Sequence, residues 1–290
     1  MAADRLNREQ FYAALADLDE AGLRKALWTL YWRGSASVRE RIMAVIDPPS
    51  AALKASDAGV DAGALLSEVT EFADLARSGS YLRGNRSVSS KERTRWRFTF
   101  QRLAKATTLA LAGDEIAPAA SAMATLIDLA CEMRSDDYFR SEDPVEAARF
   151  VVSDAAAVLW SAVRREEGPA AFYEIAAGQL LRWESRWGWS RMGWGWVSER
   201  EAPLAEVLAG MLSTPDAWGQ FADQYLRALD AVGEQGRPGR GRDWSWQERM
   251  ANLKAWHELL RDRLAHGEYE DRLDALAHHP AVATKGADRT

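Results

Sequence analysis

Five of the thirteen tryptophans of this 290-residue chain fall between Trp183 and Trp196, within the stretch 180–197, and no other segment restricts the fold as much. Trp183 and Trp187 are four residues apart, the spacing that stacks two side chains on one face of a helix end. Gly188 then predicts a stop. Beyond it Trp189, Trp194 and Trp196 alternate with Gly193 and Gly195, where glycine disfavours helix and frees the backbone to turn. The indoles therefore leave the chain in several directions. Each buries on the order of 200 Å² when packed, so the leading expectation is a plug wedged into a groove between helices. The functional alternative makes the same rings, Trp189 and Trp194 foremost, with Arg182, Arg186 and Arg191 beside them, an exposed platform for a base, a sugar or a cation.

The rest of the chain reads as helix throughout, with no segment of strand alternation. Asn7 and Gln10 have capping-box spacing, Asp19 caps a second helix through Leu23, Ala26, Leu27, Leu30 and Tyr31, and 35–46 gives a third. These three form an N-terminal module over 1–48, closed by Asp47-Pro48-Pro49 and followed by a linker rich in small residues. The main domain is expected over 60–279. Its helix starts are marked by Ser89 with Glu92, by Asp143-Pro144 with Glu146, by Gly168-Pro169, by Ser198 with Glu201, by Thr214-Pro215 and by Ser245 with Glu248. From Val145 to Val163 the apolar phase is continuous, which predicts one helix of about six turns. The tail 280–290 is polar and expected to be disordered. About twelve helices in antiparallel pairs, without a fixed repeat, predict an all-α irregular array or solenoid.

Composition narrows the setting. The single cysteine, Cys131, excludes an internal disulfide and sits in an apolar run as core filler. No run of eighteen apolar residues occurs and the N-terminus lacks a signal-peptide core, so a cytoplasmic protein without membrane attachment is expected. The net charge of −6 disfavours a globally basic nucleic-acid binder. Charge is nevertheless segregated: between Arg77 and Lys105 nine cations face one acid, Glu92. On a helical projection Lys91, Arg95, Arg102 and Lys105 form a stripe opposite Trp96, Phe100 and Leu103, and Phe98 falls inside it. With Arg86 just before the helix, cations around a ring can hold a single-stranded nucleic acid, phosphates on the cations and a base on Phe98. The alternative is that another helix covers Phe98 while the cations pair with the acidic run Glu132, Asp136, Asp137, Glu142 and Asp143.

Asp136-Asp137 after an apolar helix resembles the aspartate-rich magnesium site of class I terpene synthases, which are likewise all-helical, lined with aromatics and of similar length. The resemblance implies a magnesium-dependent enzyme acting on a diphosphate, with both aspartates as metal ligands. Phe139 and Arg140 stand where the family pattern continues to a third carboxylate, and no second metal motif follows. The loop 236–242, GRPGRGR, resembles an AT-hook, although Asp243 replaces its closing proline. The histidines, His257, His266, His278 and His279, lack zinc-helix spacing. Taken together the residues predict a non-enzymatic helical interaction or adaptor protein, with the tryptophan segment as its central core and 83–105 as its contact surface, that binds a protein partner and needs no cofactor. Single-stranded nucleic-acid binding through 83–105 is the first alternative, and the diphosphate enzyme is the second.

Overall fold

In a computed structural model the described residues are 19–33, 61–80, 88–134, 142–235, 244–265, 269–280 and 282. The fold is all-α: these residues form twelve α-helices and no strand. The chain divides into two units, Met1–Ala58 and Gly59–Thr290. The expected helices at 7–18 and 35–46, the linker, Arg86, Asp136, Asp137, the loop 236–243, His266 and the end of the tail lie outside the described residues.

In the first unit α1 (Glu20–Arg33) starts where Asp19 accepts a hydrogen bond from the Gly22 amide, 2.7 Å, as its sequence predicts. It buries no residue. Trp28 and Trp32 are 59% and 69% exposed, and the ring of Trp28 stacks on those of Tyr31 and Trp32.

The second unit is an irregular helical array. Its helices are α2 (Ala62–Leu75), which runs on into a π turn (Ala76–Ser80), α3 (Ser90–Ala110) and α4 (Ile116–Glu132). Then come α5 (Pro144–Ala148), α6 (Val152–Glu166), α7 (Gly168–Trp183) and α8 (Leu204–Met211). α9 (Pro215–Gln235), α10 (Trp244–Asn252), α11 (Lys254–Leu264) and α12 (Glu270–His278) complete it. The Ser89–Glu92 capping box forms, with the Ser89 amide donating to Glu92 and the Glu92 amide to Ser89. α4 packs against α2, α3 and α6, α7 against α6 and α9, and α9 against α11 and α12, so the apolar faces are buried in succession along the array.

The expected six-turn helix is two helices. Arg149 adopts a left-handed conformation, φ 50° and ψ 43°, and ends α5 after five residues. The break turns Phe150 onto Phe100 of α3, ring centres 4.9 Å apart and edge to face, while Val145, Val151 and Val152 stay buried. Apolar phase survives the interruption because the residues on either side face the same core. The helix expected from Ser198 begins instead at Leu204, after Pro203, and the long C-terminal helix is divided at Leu253.

Two aromatic cores anchor the array. Phe72, Trp96, Phe100 and Phe150 pack between α2, α3 and the α5–α6 break, and Trp218, Phe221, Tyr225 and Trp256 pack between α9 and α11. Between them lie Trp160, whose Nε1 donates to Gln179 at 2.7 Å, and Trp183, whose Nε1 donates to Asp128 at 2.6 Å. Both indoles are thereby buried with their polar atom satisfied.

Candidate functional site

The segment 184–203 joins α7 to α8 without regular structure, so the amides that its own turns leave unbonded need side-chain partners. Four carboxylates supply them. Glu184, 3% exposed, accepts from the Ser185 amide at 3.0 Å and from the Ala205 amide at 2.7 Å, tying the end of α7 to the start of α8. One oxygen of Asp143 caps α5 through Val145 and Glu146, at 2.9 and 3.2 Å. The other accepts from Ser190 Oγ at 3.1 Å, the Arg191 amide at 2.5 Å and the Met192 amide at 3.4 Å. Glu146 takes the Val197 and Ser198 amides at 3.1 and 2.9 Å. Glu201 accepts from the Trp189 amide at 3.2 Å.

These anions work against a low-dielectric background. Burial pushes the carboxyls of Glu184 and Glu201 above their ordinary range, and the backbone donors pull them the other way. Oε1 of Glu201 is buried with no hydrogen-bond partner among the described residues, in keeping with burial as the main cause of its raised carboxyl. Two guanidinium groups complete the frame: Arg134 donates to Ser185 Oγ at 2.8 Å and Arg249 to the Glu184 carbonyl at 3.0 Å. Glycine is required where the loop crosses its carboxylates. Gly188 has φ 69° beside Glu201, and Gly195 has φ 136° against Glu146.

This frame divides the five tryptophans. α7 ends at Trp183, so Trp183 and Trp187 do not stack on one face as their spacing predicts. Trp183 and Trp189 are 1% and 2% exposed, and Trp189 Nε1 donates to the Trp183 carbonyl at 3.0 Å. Next to Trp189 the Cys131 thiol is pushed up to about 12 by burial first and by Asp128 second, so it is a neutral packing group. Trp187, Trp194 and Trp196 point out, at 63%, 69% and 42% exposure, with Met192 at 58% between them. The plug therefore accounts for two indoles and leaves three outside. Arginines lie over the outer rings: Arg186 is 5.0 Å from the ring centre of Trp187, and Arg200 is 4.1 Å from that of Trp196, with Arg149 at 5.7 Å.

On α3, Lys91, Arg95, Phe98 and Lys105 are exposed, and no helix among the described residues covers Phe98. Arg102 is half-buried and pairs with Glu68 of α2. Two members of the acidic run do meet cations, but not those of the stripe: Glu132 pairs with Arg77 at 2.9 Å and Glu142 lies 3.9 Å from Arg93. Asp143 serves the loop instead. Among the described residues no three His, Cys, Asp or Glu side chains converge as metal ligands would.

Of the two rings that the sequence singles out for binding, Trp194 is exposed and Trp189 is buried, while Glu146 and Glu201, expected as helix-cap partners, hold loop amides. The glycines at 188, 193 and 195, all at positive φ here, were the available signal for a close backbone crossing. No helix of the described residues is long and apolar enough to cross a membrane. Compared with protein-family models, curated proteins and solved structures, the chain matches none.

Proposed function

We propose that this chain is a non-enzymatic interaction protein whose partner, another protein, docks on the indole loop of 184–203. The observation that carries the reading is the pairing of three exposed tryptophans with a backbone fastened by Asp143, Glu146, Glu184 and Glu201. Tryptophan and arginine are the side chains that most often dominate protein–protein binding energy. Holding them in place beforehand removes part of the ordering cost that association otherwise incurs. Arg149, Arg186 and Arg200 around the rings favour a partner surface with carboxylates flanking an apolar anchor.

The test is photo-crosslinking in the native cell from a benzoylphenylalanine placed at Met192, which keeps all three outer indoles. The reading expects one discrete protein adduct that is lost when Trp187 and Trp194 are both changed to alanine. It expects none from the same probe at Val158, an exposed position on α6. Adducts that are unchanged by the double substitution contradict it.

A further inference from the structure

A second surface lies on α3. Lys91, Arg95, Phe98, Arg102, Lys105 and Leu109 follow one another at steps of four or three residues, which sets all six within about 40° of one line along the helix. Phe98 and Leu109 are 43% and 47% exposed. Lys91, Arg95 and Lys105 are exposed and have no ion-pair partner among the described residues. Arg102 is set against Glu68, which bounds the face on the α2 side, and the Arg97 guanidinium lies 5.1 Å from the centre of the Phe98 ring.

We propose, independently of the indole loop, that this face binds single-stranded nucleic acid. The strand follows the α3 axis, its phosphates meet Lys91, Arg95 and Lys105, and an unpaired base stacks on Phe98. From Lys91 to Lys105 the helix rises about 21 Å, an extended track whose cations are interrupted by one ring. A duplex would offer the phosphates but no free base face, and an acidic protein surface would match the cations without using the phenyl ring. An unpaired strand uses both.

The experiment is fluorescence anisotropy of the full chain with a labelled short oligothymidylate, the same length of abasic strand, a duplex and polyglutamate, over a range of salt. Three neutralised phosphates predict a log–log salt slope of about −2, reduced by about 0.7 in Arg95→Gln. Phe98→Ala weakens oligothymidylate binding on the order of tenfold and leaves abasic binding unchanged, while Phe98→Tyr retains the wild-type affinity. No binding at low salt overturns the proposal. So does equal binding to polyglutamate or duplex with Phe98→Ala without effect, which would mark the face as a general polyanion or protein contact.

Discussion

Glu146 occupies the space that the missing side chain of Gly195 leaves: a Cβ on Gly195 would stand 2.5 Å from the Glu146 carboxyl carbon and from Oε1. The same carboxylate holds the Val197 and Ser198 amides, so the glycine and the anion together decide where the second half of the loop lies. Gly195→Ala meets a wall and a backbone angle, φ 136°, that alanine rarely adopts. It should destabilise the chain by about 1–3 kcal/mol in urea unfolding and weaken partner capture through Trp194 and Trp196. Unchanged stability would mean that Glu146 is not fixed.

Asp143 has two tasks, one for each oxygen. Asp143→Ala removes the α5 cap and leaves Ser190 Oγ and the Arg191 and Met192 amides without their acceptor, a combined loss of about 2–4 kcal/mol. Asp143→Asn retains one oxygen and should cost roughly half as much. Equal losses from the two would show that the cap contributes nothing and that the loop contacts of the second oxygen alone matter. Denaturant midpoints of the two variants measured side by side make the comparison.

The indoles separate by stability. Trp183→Ala empties a buried site and takes the Nε1 donor from Asp128, for a loss of about 3–5 kcal/mol. Trp187→Ala and Trp194→Ala, on the exposed side, should stay within about 0.5 kcal/mol of the wild type while abolishing partner binding. A large stability loss from Trp194→Ala would place that ring in a packing role.

Between α9 and α11 a buried polar pair sets a pH response. Tyr225 Oη and His257 Nε2 are 2.7 Å apart. Burial raises the phenol well above 10, so it stays protonated and can donate to a neutral imidazole. Burial first, then Arg261 and His279, lower His257 from 6.5 to about 4. A depressed folded value means that the unfolded chain takes up the proton first. The stabilisation from neutral His257 is complete above 6.5 and is lost as pH falls from 6.5 through 4, at about 1.4 kcal/mol per pH unit. Glu184 and Glu201 run the other way, since a raised carboxyl is a cost at neutral pH that is relieved on acidification. The difference in unfolding free energy between wild type and His257→Gln cancels the carboxylates. It should change by about 3 kcal/mol between pH 7 and pH 4 and be flat above pH 7. A flat difference throughout refutes the assignment.

Much of the fold was legible because helix capping and apolar phase are local. Ser89 with Glu92, Asp143 with Pro144, and Thr214 with Pro215 all start helices where the pattern predicts. What failed was long-range. Phase alone cannot reveal a break at Arg149, because Val145 and Val152 face one core on both sides of it. Ser198 and Glu201 have the spacing of a capping box, yet Glu201 is drawn to the Trp189 amide, which no local rule anticipates. The division of the indoles follows from the same tertiary contacts. Adjacent rings in one glycine-rich stretch have opposite fates because carboxylates on α5 and at 184 and 201 fix the backbone between them.

Amide hydrogen exchange of the free chain measures that fixing most directly. If the loop is held ready for its partner, the amides of Trp189, Arg191, Val197 and Ser198 exchange as slowly as those in the middle of α7, and they lose that protection in Asp143→Ala or Gly195→Ala. Exchange of these four amides at unprotected rates in the wild type would contradict the account, leaving the outer tryptophans on an unstructured segment.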